Sequence, residues 1–299
     1  VFVSRGDGTS SATLLADGNG DAAATGLGLL VTDLDGENGN EIFVANDRVA
    51  NHFWQRTKSE LPQHDTWRNI AALRGLAFGT NGVPMGCMGI AAADFDGNGR
   101  TDLHVTNFEN EWSNQYMQDE EGFFEDLVVS MGLDESSYAM VGFGTQAIDY
   151  DNNRSIDLVV GNGHIDDHTR EGRGFEMPTM MLTRDGPGFR QQIVRGDSEY
   201  WDAGHLSRAL ATCDWNRDGR TDIVVTDLMQ PFVLLENRTP TDHHWIELQL
   251  VGTTSERDSI GATATLRFGG SEAFGTANTG DGYMAKNEAV LHFGLGTIN

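Results

Sequence analysis

Four short segments of this chain gather oxygen-bearing side chains at one fixed spacing. Asp33, Asp35, Glu37 and Glu41 stand at positions 1, 3, 5 and 9 of the first. Asp94, Asp96, Asn98 and Asp102 repeat the pattern, as do Asp149, Asp151, Asn153 and Asp157, and then Asp214, Asn216, Asp218 and Asp222. The chemistry these groups suit is capture of a hard cation. Ca2+ takes about six to eight oxygens at ~2.3–2.6 Å, and a curled loop brings such side chains together while backbone carbonyls and water complete the shell. Without a cation, converging carboxylates repel one another. Gly36, Gly97 and Gly219 lie at or just beyond the turn, where curling needs backbone angles that glycine reaches freely. The expectation is up to four Ca2+, one per loop, held at the ~10⁻⁴–10⁻³ M affinities of extracellular modules. The fourth loop, with Asn216 in place of aspartate, is the weakest of the set.

An EF-hand also opens Asp-x-Asp-x-Asn-Gly, but it needs a bidentate Glu at position 12 and flanking helices. Position 12 here is Val44, Val105, Val160 and Val225, so that reading fails in every copy. A single copy would pass for a polar hairpin turn. Four copies with matched flanks do not.

The flanks specify what positions the loops. Five residues before each first Asp stands Gly28, Gly89, Gly144 or Ala209, and seven before stands Gly26, Cys87, Gly142 or Ser207. Small residues two apart face one side of a strand, as crowding near the axis of a propeller demands. After each loop comes a strand-forming run: Ile42-Phe43-Val44, Leu103-His104-Val105, Leu158-Val159-Val160 and Ile223-Val224-Val225. Third strands are expected around His52–Trp54, Gln115–Met117, Met180–Leu182 and Phe232–Leu234, and fourth strands around Phe123–Leu127 and Phe189–Ile193. The loops recur about every 60 residues, long for a solenoid but suited to a four-stranded blade. Residues 1–16 read as the third and fourth strands of one further unit, a pair that could close the ring by completing the last blade. The opening residues Val1–Gly8 read as the interior of a domain, not as an export signal.

The chain has a formal net charge of −25. That excludes nucleic acid and anionic membrane as partners by repulsion, and no apolar stretch is long enough for a membrane helix. Six tryptophans and regular strand-forming runs argue for a folded chain in spite of the charge. Cys87 and Cys213 read as two small buried thiols, with pairing left open.

The four loops with their small leading residues resemble FG-GAP (VCBS) repeats of integrin-α-like β-propellers. Val44-Ala45-Asn46-Asp47, Met85–Gly89, Val105-Thr106-Asn107-Phe108, Gly142-Phe143-Gly144 and Gly161-Asn162-Gly163-His164 resemble, in order, landmarks of the cartilage acidic protein 1-like family. His244–Leu248, Ser259–Ala262, Gly280–Tyr283 and His292–Gly296 resemble that family's ASPIC/UnbV module. The resemblance implies an exported, calcium-binding protein of matrix or cell surface. The family's propeller usually begins upstream of this chain's first residue and its tail usually runs past Gly296, so a fragment and a variant with few blades both stay open.

Outside the loops, His164-Ile-Asp166-Asp167-His168 is the one cluster to weigh as a metal or catalytic site, and a surface loop is the plainer reading. No Gly-x-Ser-x-Gly elbow, Walker loop or His-Glu-x-x-His is present. Trp54, Trp67, Trp112, Trp201 and Tyr200 are expected mainly to fill space between blades; exposed, they would stack on sugars or anchor a partner. Asn153 and Asn237 head N-glycosylation sequons, Asn237 being the better acceptor because Asn153 is a candidate ligand.

The sequence therefore specifies an all-β fold: a calcium-binding β-propeller over residues 1–238 and a small β module over 239–299. Its expected role is non-enzymatic, as an extracellular or cell-surface adhesion, matrix or assembly protein. Its expected partner is a protein or glycan, with a homo-oligomer or filament also open through exposed strand edges. A glycan-binding lectin is the alternative, and a calcium-dependent polysaccharide lyase or hydrolase using His164 or His168 ranks below it.

Overall fold

The structure is a computed structural model and describes residues 2–4, 10–12, 24–37, 39–57, 66–172, 174–194 and 199–297. The chain is all-β and folds as four consecutive antiparallel meanders. The first is β3 (Gly26–Thr32), β4 (Glu41–Asn46), β5 (His52–Thr57) and β6 (Thr66–Asn69). The second is β7 (Ile90–Ala93), β8 (Asp102–Val105), β9 (Asn114–Gln118) and β10 (Phe124–Asp126). The third is β11 (Gly142–Ile148), β12 (Asp157–Asn162), β13 (Met180–Asp185) and β14 (Gly188–Gln192). The fourth has three strands, β15 (Ser207–Cys213), β16 (Asp222–Asp227) and β17 (Val233–Leu235). Ahead of them, β1 (Phe2–Ser4) and β2 (Ser10–Ala12) pair as a sheet of their own. The rest of residues 1–16 lies outside the described residues, and among the described residues the fourth sheet carries no outer strand.

The sheets stack like propeller blades, with β3, β7, β11 and β15 innermost. Each seam between neighbouring blades is an apolar core. Leu30, Phe43 and Phe53 meet Ile90, Leu103 and Tyr116 across the first. Ala91 and Phe95 meet Leu158, Met180 and Leu182 across the second. Ile148 and Val159 meet Leu210 and Ile223 across the third. Among the described residues no such cluster joins the fourth blade back to the first.

The small residues leading each loop set the blade spacing. A Cβ on Gly28 would lie 2.2 Å from the Met88 carbonyl oxygen, and one on Gly89 would lie 1.9 Å from that of Phe143. One on Gly144 would lie 2.6 Å from the Leu210 nitrogen. Each glycine thus lets its strand approach the backbone of the next blade. Thr106 closes the second seam: its hydroxyl accepts from the Gly89 N–H and donates to the Phe143 carbonyl.

The tail forms two hairpin-like sheets, β18 (His244–Leu248) with β21 (Leu291–Gly296), and β19 (Thr263–Phe268) with β20 (Ser271–Thr276). Between β20 and β21 the chain threads past the innermost strands. Thr279 exchanges backbone hydrogen bonds with Val31 of β3, and Gly282 with Ile90 of β7. Asn287 donates to Gln146 of β11, and its oxygen accepts from the Thr212 N–H of β15. Tyr283 packs edge-on against Phe143 at 5.1 Å. One segment therefore touches all four blades where propellers commonly leave a channel.

Candidate metal centres

Each acidic loop joins the first strand of a blade to the second, and the four share a backbone feature at position 4. Position 4 has a left-handed backbone in every copy: Gly36 (φ 72°), Gly97 (77°), Asn152 (57°) and Arg217 (59°). Glycine takes that conformation without cost, and asparagine is the next most tolerant residue. The curl points backbone N–H groups inward at the carboxylates. Asp94 accepts from Gly97, Asn98 and Gly99, and Asp149 from Asn153 and Arg154. Position 3 accepts from the N–H of position 5, at Asp35, Asp96, Asp151 and Asn216.

Position 9 braces the loop against the blade. Asp102 accepts from the N–H of Phe95 with one oxygen and from that of Gln118 on β9 with the other. Asp222 does the same with Trp215 and Asn237. In two loops this acid keeps an oxygen free. Oε1 of Glu41 and Oδ2 of Asp157 are buried and have no hydrogen-bond partner, although each residue is only 1% exposed. A buried carboxylate oxygen without a donor is costly unless something else satisfies it.

Three of the four loops gather their acids. In Asp33/Asp35/Glu41, Asp94/Asp96/Asp102 and Asp149/Asp151/Asp157, one carboxylate oxygen from each residue lies within 4.8 Å of the others. Each cluster can hold a metal ion, and the all-oxygen donor set, with an orphaned oxygen in the first and third, fits a hard divalent cation. At position 5 the acid of the first loop, Glu37, is not part of its cluster. Glu37 is exposed, Asn98 donates its amide to Asp96 and the Gln118 carbonyl, and the Asn153 oxygen accepts from the Ser155 N–H.

The fourth loop carries an amide, Asn216, where the others carry an acid at position 3. Asp214, Asp218 and Asp222 form no such cluster. The Arg220 guanidinium pairs with Asp218 and donates to the Asn237 carbonyl, and the Asn216 amide also donates to Asp218. An internal cation thus occupies the acid at position 5 of this loop.

Burial dominates the acidity of these groups. It pushes Glu41 and Asp102 up to about 8 and Asp149 and Asp157 up to about 7; neighbouring carboxylates add to the rise and loop N–H donors oppose it. Asp33 and Asp94 rise for the same reasons. Metal-free, each cluster holds protons near neutrality, and a bound cation would displace them.

The other sequence candidates fall outside these centres. His164 is buried, accepts the Asp166 N–H at Nδ1 and lies 3.3 Å from Glu109 through Nε2. His168 meets it edge-on at 5.2 Å from a loop, not a helix. Cys87 and Cys213 are unpaired, Cys87 buried and Cys213 half-buried. Trp54 is buried, whereas Trp67, Trp112, Trp201 and Tyr200 are half-buried. The Asn237 amide donates to the Tyr150 carbonyl. Among the described residues no helix is long and apolar enough to cross a membrane.

Residues 252–299 match the family model described as ASPIC and UnbV, so the match covers the tail alone. No curated protein matches the chain. Among solved structures, the chain is similar to an Agrocybe aegerita lectin described by its specific recognition of non-reducing terminal N-acetylglucosamine. The identity is 14%, over 77% of this chain and 57% of that one, at a TM-score of 0.39. It is also similar to a rhamnogalacturonan lyase of Bacillus licheniformis, at 13% identity over 71% of this chain and 42% of that one, with a TM-score of 0.35. The chain thus spans 57% and 42% of the lengths of these two proteins.

Proposed function

We propose that this chain is a calcium-clamped propeller of FG-GAP type that works outside the cell as an adhesion, matrix or surface-assembly protein. One observation carries the reading: the same three-acid cluster recurs at the same place in three successive blades. A device repeated at the base of three successive hairpins clamps structure; a reaction centre would be needed once. Residues Asp33, Asp35, Glu41, Asp94, Asp96, Asp102, Asp149, Asp151 and Asp157 would hold the ions, and Ca2+ would supply charge neutralisation and loop rigidity. Sites of this kind, at ~10⁻⁴–10⁻³ M, fill in extracellular fluid and stay empty in cytosol. The net charge of −25 favours a partner met through neutral or basic surface.

A groove supports a second reading, glycan binding. It lies among the connections that flank blade two, holds about 280 Å³ and is lined by Asn81, Pro84, Asn110, Glu111, Trp112 and Tyr138. Aromatic faces beside amide and carboxylate groups suit a sugar ring.

Light scattering and capture on immobilised matrix proteins, in calcium and in chelator, separate these. Calcium-dependent capture or self-association supports the first reading. Binding to a glycan array that Trp112→Ala abolishes, with no matrix capture and no self-association, would replace it with the second.

A further inference from the structure

The tail module rests on the acidic loops themselves. At the first loop, the Asn40 amide donates to the Ile260 carbonyl, and a Cβ on Gly261 would lie 1.8 Å from the Asn40 oxygen. At the second, the Thr101 and Thr276 hydroxyls share a hydrogen bond of 3.1 Å. At the third, His292 Nε2 meets the Asn152 oxygen at 2.7 Å, the Gly296 N–H donates to the Asn152 carbonyl, and the His243 ring meets the Asp151 carbonyl. A Cβ on Gly294 would lie 2.0 Å from Asp149 Oδ2, so β21 lies directly on that cluster. At the fourth, Glu288 pairs with Arg217 and accepts from the Asp214 N–H, and Trp245 lies against Gly219.

The loop residues making these contacts alternate with the acids. Asn40 precedes Glu41, Thr101 precedes Asp102, and Asn152 lies between Asp151 and Asn153. A change in loop shape that moves the acids must move the tail's footing as well. We propose that the tail module reads the cation state of the first three loops: filling them locks the tail onto this face, and emptying them loosens it. The inference rests on the calcium reading above, and it adds a second site whose order the ion controls. The two states are tail docked and tail loosened, and the ion favours the docked state because only there do the loops hold the shape it binds. Linkage makes the effect reciprocal, so tail docking tightens cation binding by the same factor.

Hydrogen exchange of the full chain, read by mass spectrometry, tests this, with calcium binding measured separately on the same samples. With millimolar calcium chloride, amides of residues 263–276 and 291–296 are expected to slow by about tenfold or more relative to chelator, within the usual range of coupling between sites. The slowing should exceed that of β12 in the core. Asn40→Ala with His292→Ala cuts two footings and spares every proposed ligand. In that variant the ion stoichiometry should stay the same, the tail's response should fall below about threefold, and calcium affinity should weaken by the factor lost. If wild-type protein binds calcium but the tail exchanges alike with and without it, this inference fails and the calcium reading stands. If no calcium binds, both fail.

Discussion

In chelator, raising the pH from about 5 to about 8 is expected to lower the midpoint of thermal unfolding by roughly 5–10 °C. Glu41, Asp102, Asp149 and Asp157 are raised in the folded chain to about 7–8, chiefly by burial. Their unfolded values lie near 4. Between those limits the folded state holds more protons than the unfolded one, so stability falls as pH rises. The stabilisation is complete below the unfolded values and is lost as pH climbs through 7–8. Calcium should reverse the trend by replacing the protons. At free calcium about one hundred times Kd, each site contributes ~2.7 kcal/mol, so three contribute ~8 kcal/mol and raise the midpoint by at least about 10 °C at pH 8. At pH 5 protons compete and the gain should be much smaller. Thermal scans at both pH values, with calcium and with chelator, read all four terms. A chelated protein that gains stability from pH 5 to 8, or a calcium effect equal at both, would contradict the clusters as drawn.

Adding a single methyl group at the second seam is expected to cost about 3 kcal/mol or more. In Gly89→Ala the new Cβ would lie 1.9 Å from the Phe143 carbonyl oxygen. That neighbour is backbone and cannot rotate away, so β7 and β11 must separate. The movement also stretches the Thr106 hydrogen bonds that tie both strands. Overpacking ordinarily costs ~1–3 kcal/mol where side chains can adjust, and here none can. Gly174→Ala is the control, since the nearest atom to its Cβ is 3.6 Å away; it should stay within about 0.5 kcal/mol of the parent. Urea unfolding in calcium measures both. An unchanged Gly89→Ala would mean that the blades do not meet at the glycines.

Both expectations begin from residues that the sequence marks plainly. The small leading residues and the acid spacing are local patterns repeated four times, and repetition made them readable. The third strands and two of the outer strands lie where their apolar and aromatic runs suggest, as at Met180–Asp185 and Gly188–Gln192. The outer strand of the first blade was not legible: Thr66-Trp67-Arg68-Asn69 is short and polar, with one apolar residue to show a pattern. Position 4 of the loops was half legible. Glycine at 36 and 97 signals a left-handed backbone, whereas Asn152 and Arg217 adopt it with no such signal.

The fourth loop looked in sequence like a weakened copy of the others. The structure gives Arg220 a specific part, pairing with Asp218, which spacing alone does not reveal. Least legible was the path of the tail. The contact between His292 and Asn152 joins residues 140 positions apart, and no local propensity encodes it. The Gly280–Tyr283 stretch, notable in sequence only as part of a motif, proves to be the segment that pairs with β7 at the axis.

The most direct test of the central claim is the calcium stoichiometry of the intact chain by equilibrium dialysis at pH 8. The three acid clusters predict saturable binding of three ions per chain. Asp96→Ala, a change at an exposed ligand position, should lower that to about two while the chain stays folded. Absence of saturable calcium binding by the folded chain, or a stoichiometry that Asp96→Ala leaves untouched, would contradict it.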